Sequence, residues 1–429
     1  MKRTILIFTV LLICISFLSA SGGKEADTSQ KRKVSITFLG KGEQEDLLAK
    51  WIPVFEAQNP DIQVEYTVLD WGTGKTKILT SFAGGVGSDI VMVYGADIPQ
   101  WIEYGAISPI DEYFDPADYV PTAFEMGKWN GSLYAVPLQS KLIGYYYRSD
   151  KYEEAGLNPD APPKDWAELI DYSQKLTKRD PNGQLQQSGF WVTTSHSYKT
   201  VGQYATFLWS AGGRIFSEDG AKCTVNSPEG VKTAKFLRDM LHVYKVDDAG
   251  SIQNESTDFA QGKMASGVCN NAPRGMEVTN PDEVKYVRVS PVPPIDGNHT
   301  GYCEIGGDYL GISATCKDRD AAAKVLKFLV ETPEIVIQSC IDSFGPPALL
   351  AAVEGFSERS EYAEVWNTLA NGNVRTQPLH PRWGEIQAIL TKALDIIYLK
   401  PSSDPQKVLD DAAVQIDAII KASVPALGE

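Results

Sequence analysis

Three short stretches place an aromatic ring beside groups that exchange hydrogen bonds with hydroxyls: Asp70-Trp71-Gly72, Tyr94-Gly95-Ala96-Asp97 and His380-Pro381-Arg382-Trp383. That pairing suits carbohydrate. A sugar ring offers C–H groups to stack on an aromatic face and a belt of hydroxyls that carboxylates, amides and guanidinium groups can bind. Nine tryptophans in 429 residues supply the rings generously. Other chemistries have weaker footing. The four histidines show no metal spacing, no CxxC pair occurs, and no G-x-S-x-G elbow announces a hydrolase nucleophile. Neither a metal nor a cofactor is expected. A glycosidase stays open as a rival, because it needs only two carboxylates about 5 to 10 Å apart, and sequence cannot set that distance.

The elements that must position these residues follow from periodicity. Val34, Ile36 and Phe38 alternate as in a strand, Leu47 to Phe55 recur at helical spacing, and Ile62, Val64, Tyr66 and Val68 alternate again. Asp89 to Tyr94 is a short apolar run of the kind buried on both faces of a parallel sheet. The pattern predicts an α/β chain in which Asp70-Trp71 follows the second strand and Tyr94 to Asp97 the third, where open sheets bind ligands. Helix starts are expected at Asp165-Trp166, Ser227-Pro228, Thr332-Pro333 and Asp404-Pro405, each a capping side chain before the first turn. Trp383 to Leu399 and Pro405 to Ala422 read as closing helices. Trp51, Trp166 and Trp366 lie on helical patterns and are expected to pack in cores.

Composition bounds the partners. Fifty-five acidic against 40 basic residues give a formal charge of -15 with no basic block, so nucleic acid is excluded. Lys2 and Arg3, the apolar run Ile5 to Leu18 and the small residues Ser19 to Gly23 read as an export signal over residues 1–21. Ser21 stands where a lipoprotein would carry its lipid-bearing cysteine, so a free periplasmic or cell-surface protein is expected. Five cysteines remain beyond that signal, and their pairing is not readable.

Motifs then recur in order along the chain: Gly87-Ser88-Asp89-Ile90-Val91, Gly105-Ala106-Ile107-Ser108-Pro109-Ile110, Asn130-Gly131-Ser132-Leu133-Tyr134-Ala135-Val136-Pro137, Tyr145-Tyr146-Tyr147-Arg148-Ser149-Asp150, Ala155-Gly156-Leu157, Pro162-Pro163-Lys164-Asp165-Trp166, Ala211-Gly212-Gly213 and Gly345-Pro346-Pro347. Together they resemble the sugar-type extracellular solute-binding proteins of ABC importers, relatives of maltose-binding protein. The resemblance implies a monomeric, non-enzymatic receptor that hands a sugar or oligosaccharide to membrane permease subunits. A carbohydrate-active hydrolase and a same-fold receptor for a non-sugar solute are the alternatives.

The fold so implied is the two-lobed type II binding-protein fold, with mainly parallel sheets flanked by helices and the ligand cleft between lobes. The expected lobes are 34–140 plus 305–344 and 141–304 plus 345–429, with crossings near Ser140 to Gly144, Cys303 to Asp308 and Phe344 to Pro347. Carried over residue by residue, the implied ligand contacts are Asp70, Trp71, Tyr94, Asp97, Gln139, Lys141, Trp209, Asn271, Arg274, Gly307, Asp308 and Trp383, with Glu43 after the first strand. Read without the resemblance, Asp70, Asp97 and Asp308 serve equally as turn or capping residues, and Lys141 and Arg274 as structural ion-pair partners.

Overall fold

The computed structural model describes residues 31–40, 42–269, 276, 280–343, 345–360 and 373–423. The expected export signal, Trp366, Asn271 and Arg274 lie outside them.

An eight-stranded sheet organises the chain. In chain order its strands are β1 (Arg32–Leu39), β2 (Ile62–Leu69), β3 (Ile90–Tyr94), β4 (Val136–Arg148), β5 (Ser266–Cys269), β6 (Val287–Ser290), β7 (Cys303–Ile312) and β8 (Val374–Arg375). β1 pairs parallel with β2 and β3, which is what strand–helix–strand alternation dictates. The helices that return the chain are α1 (Gly42–Gln58) and α2 (Trp71–Ala83). β7 then runs antiparallel between β3 and β4.

β4 is the strand that joins the two halves. Seven of its first eight residues pair with β7, Leu138 being passed over at a bulge, and from Gly144 onward its partners are β5 on one side and β6 on the other. Ser140 also receives the third passage of the chain, its amide donating to the Pro346 carbonyl at 3.1 Å. Because side chains alternate along a strand, Leu142 and Tyr146 enter one hydrophobic core while Ile143, Tyr145 and Tyr147 enter another.

The first core gathers β1, β3 and β7 with α6 (Arg319–Glu331), α7 (Pro333–Ser343) and α8 (Leu350–Arg359). It runs on through Leu349, Ala352 and Phe356, past the boundary expected at residue 344, since α8 packs on α7. The second core gathers α3 (Trp166–Leu176), α4 (Ser197–Ser210), α5 (Pro228–His242), α9 (Trp383–Leu399) and α10 (Pro405–Lys421). These helices begin where the capping residues predict. The carboxylates of Asp165 and Asp404 and the hydroxyl of Ser227 each accept a first-turn amide, and Pro228 and Pro405 open their helices. Trp166 is buried in this core and stacks on Phe236 at 4.1 Å, as its helical spacing predicts.

Candidate functional site

The site begins with register. Residues directly opposed in a ladder send their side chains to the same face of the sheet. Tyr94 of β3 faces Asp308 of β7, and Asp308 faces Gln139 of β4. Two residues along, Gly306 faces Lys141, and two further, Glu304 faces Ile143 and Arg375. One face of the crossing strands therefore carries two carboxyl groups, an amide, an ammonium, a guanidinium and a phenol. Gly306 leaves a gap among them. A Cβ placed there would lie 2.0 Å from the Tyr94 hydroxyl, so only glycine lets that ring reach across β7.

Asp308 is fully buried, and Lys141 Nζ lies 2.8 Å from its Oδ2. Gln139 donates its amide to the same oxygen and accepts through its own Oε1 from Ser339 of α7 at 2.8 Å and from Ser343. Lys141 also sits over the Trp71 ring, 5.3 Å from its centroid. A buried carboxylate without a cation would be costly, and here the ammonium removes that cost. Oδ1 of Asp308 makes no hydrogen bond. Next to this group, a Cβ on Gly307 would lie 2.5 Å from the Gln139 carbonyl, so glycine there serves the approach of β7 to β4.

Glu304 is equally buried and differently served. Its Oε1 accepts from Gln377 at 2.9 Å and from the Tyr198 hydroxyl at 3.4 Å, while Oε2 has no partner and faces Gly202 of α4. Burial pushes the carboxyl up to about 8 against the pull of the hydrogen bonds from Gln377, Tyr198 and Tyr94, so it is mostly protonated at neutral pH. The Tyr94 and Tyr198 hydroxyls meet at 2.8 Å with their rings edge to face, which joins the β3 loop of one lobe to α4 of the other. Burial and the nearby Glu304 hold both phenols well above the ordinary value, hence neutral. The assembly offers stacking surface, hydroxyl donors and, on Asp308, an unsatisfied acceptor in one place.

Sequence reasoning and structure converge on Trp71, Tyr94, Gln139, Lys141, Gly307 and Asp308, which this face brings together. Others land elsewhere. Asp70 caps α2, accepting the Gly72 amide at 2.8 Å, and Asp97 pairs with Lys75 at 2.6 Å beside it. The capping reading thus describes Asp70. Glu43 lies in the first turn of α1 and is half-buried. Trp209 is a buried second-core residue at the end of α4. Trp383 is also 99% covered, donating its indole N–H to Gln377 at 3.0 Å and meeting Phe216 edge-on. Through Gln377 it is linked to Glu304, and the helix it opens also approaches residues 95–97 after β3.

Three residues escaped sequence reasoning: Glu304, Tyr198 and Gln377. For Glu304 a signal existed, since stepping back by twos from Asp308 along a strand reaches Gly306 and then Glu304. Tyr198 and Gln377 carry no local mark, as one sits on the first turn of α4 and the other in an extended stretch after β8.

Residues 40–334 match the family model of the bacterial extracellular solute-binding proteins. A curated binding protein of Brucella abortus (strain 2308) is 25% identical over 379 residues, which span 86% of this chain and 88% of the relative. Among solved structures, an ABC transporter solute-binding protein of Thermotoga lettingae bound with alpha-D-tagatose aligns with a TM-score of 0.79 at 24% identity, over 91% of this chain and all of that one. Maltose-bound MalE3 of T. maritima aligns with a TM-score of 0.76 at 22% identity, over 90% and 99%. These two share the two-lobed fold.

Proposed function

The chain belongs to the bacterial extracellular solute-binding proteins, and from that premise we propose that it captures a sugar or oligosaccharide between its lobes and delivers it to the permease of an ABC importer. One observation carries the sugar reading: the crossing strands set Trp71 and Tyr94 around two buried carboxyl groups, each with an oxygen that has no partner. Hydroxyl groups satisfy such oxygens, and the rings give the C–H faces a place to stack. The tagatose and maltose held by the two aligned structures support the same class.

Ligand contact is assigned to Trp71, Tyr94, Lys141 and Asp308, with Tyr198 and Glu304 added from the second lobe's side of the cleft. Gln139 positions Asp308. The protein acts as an exported monomer, released from its N-terminal signal without a lipid anchor.

Turnover is not part of the reading. The family and fold are those of substrate-binding proteins. The two buried carboxyl groups, Asp308 and Glu304, are read as hydrogen-bonding groups for ligand hydroxyls. A thermal-shift screen over mono- and oligosaccharides tests the proposal, since a ligand bound by the native state alone raises the melting temperature by mass action. Chemically unchanged sugar recovered with a raised melting temperature is the expected result. A cleaved product that disappears with Glu304→Gln or Asp308→Asn moves the protein to the hydrolases.

A further inference from the structure

We infer that Arg375 makes the cleft selective for a sugar acid, a saccharide whose single carboxylate seats against the guanidinium; this rests on the carbohydrate reading above and narrows it. The observation behind it is a cation with nothing to pair with. Arg375 is half-buried on β8, directly opposite Glu304 of β7 on the site face. The other cations nearby are engaged, Lys141 with Asp308 at 2.8 Å and Lys75 with Asp97 at 2.6 Å. Among the described residues no carboxylate pairs with Arg375. Its Nη1 is buried without a hydrogen bond, and its Nη2 reaches only the Tyr302 hydroxyl, at 3.5 Å. A guanidinium keeps its charge, so this N–H cannot be relieved by losing a proton. The Tyr302 ring lies 4.5 Å from the guanidinium carbon, and stacking of that kind engages the face of the group and leaves its N–H edge for a ligand.

Glu304 does not fill the role. Its Oε1 already accepts from Gln377 and Tyr198, and burial pushes the carboxyl up to about 8. At neutral pH the acid proton therefore belongs on Oε2, which has no partner. The group opposite Arg375 is thus a second donor without an acceptor. α4 supplies none there, since the residue it sets against Oε2 is Gly202. Two opposed ladder positions present an N–H and an O–H and lack the oxygen that both require.

A carboxylate supplies it. Its two oxygens match the planar fork of a guanidinium, and one negative charge balances one positive. A phosphate monoester brings close to two charges at neutral pH, and Lys141 is already held by Asp308. A neutral hydroxyl satisfies a donor but leaves the charge of Arg375 unbalanced. The same polarity orients the ligand. Its acid end lies at Arg375 and Glu304, and its hydroxyls run past Tyr94 at Gly306 toward Asp308 Oδ1, a bare acceptor four residues along β7.

Calorimetric titration of the purified protein with D-glucuronate, D-galacturonate and cellobiouronate, in parallel with D-glucose, D-galactose and cellobiose and with glucose 6-phosphate, tests the inference. At least one acid should bind, about tenfold or more tighter than its neutral partner. Its affinity should fall as salt rises from about 0.02 to 0.5 M. Arg375→Met should close the gap between acid and neutral sugar, and Arg375→Lys should keep part of it. If the variants do not fold, the salt dependence of the native protein decides, a flat response counting against the inference. A neutral sugar binding as tightly as its acid, glucose 6-phosphate preferred to glucuronate, or an Arg375→Met protein that melts lower while keeping the gap overturns the inference and leaves the carbohydrate reading standing. Binding of no sugar, acidic or neutral, overturns both.

Discussion

Asp308 and Glu304 share a strand, a sheet face and complete burial, and the protein treats them in opposite ways. Asp308 receives a cation and an amide, so its charge is carried inward and balanced. Glu304 receives an amide and a phenol and no cation among the described residues, so it gives up its charge instead. Burying a carboxylate can be made tolerable by pairing it or by protonating it, and here both solutions stand four residues apart. The difference tracks the lobes. Asp308 lies between β3 and the first part of β4, where Lys141 of the same ladder is at hand, while Glu304 lies under α4 and beside Gln377, and its hydrogen bonds there come from neutral groups.

On this contrast, removing the cation should be the most damaging change. Lys141→Met leaves Asp308 charged, buried and unpaired, and chemical denaturation should show a loss of about 3–5 kcal/mol. Lys141→Arg should recover most of it. Replacing Trp383 by Ala should cost about 3 kcal/mol of unliganded stability through the cavity it leaves. Affinity measured on the folded fraction should hold, because the buried ring gives its N–H to Gln377. Lost affinity at unchanged stability would instead return Trp383 to the ligand.

Glu304→Gln should be far milder and pH-dependent. The native carboxyl, raised from an ordinary 4.5 to about 8, makes the fold bind an extra proton between those values. Its contribution is complete below pH 4.5 and fades as pH rises through 8, so native stability should drop across that window while the amide variant stays flat. Melting curves at pH 5 and pH 8 check this, with a difference of about 1–3 kcal/mol between the two proteins. Smallest of all, Tyr198→Phe deletes one neutral hydrogen bond to Tyr94 and a long one to Glu304 and should cost about 0.5–1.5 kcal/mol.

Much of this was legible before any coordinates. Period-two runs at Val34 to Phe38 and Ile62 to Val68 became β1 and β2 because a strand half-buried on a layer of helices has to alternate. Asp165, Ser227 and Asp404 marked real helix starts because an orphaned first-turn amide calls for an acceptor wherever the helix sits. The site was legible only on one side. Trp71, Tyr94, Gln139, Lys141 and Asp308 belong to β3, β4, β7 and the loops directly after strands, so local pattern plus sheet register nearly sufficed. Tyr198 and Gln377 arrive from the other lobe, and which turn of α4 meets the crossing is decided by the packing of two cores. Trp383, expected from the resemblance to face the cleft, is buried with its N–H given to Gln377, a partner that no local pattern announces.

Gly306 has a consequence for motion. The Tyr94 hydroxyl occupies the volume a β-carbon would take, and that hydroxyl is what touches Tyr198 across the two lobes. A single methyl group, in Gly306→Ala, would act as a wedge under the phenol, pushing it off its perch and propping the jaws ajar. The bridge between Tyr94 and Tyr198 therefore depends on an atom the chain lacks.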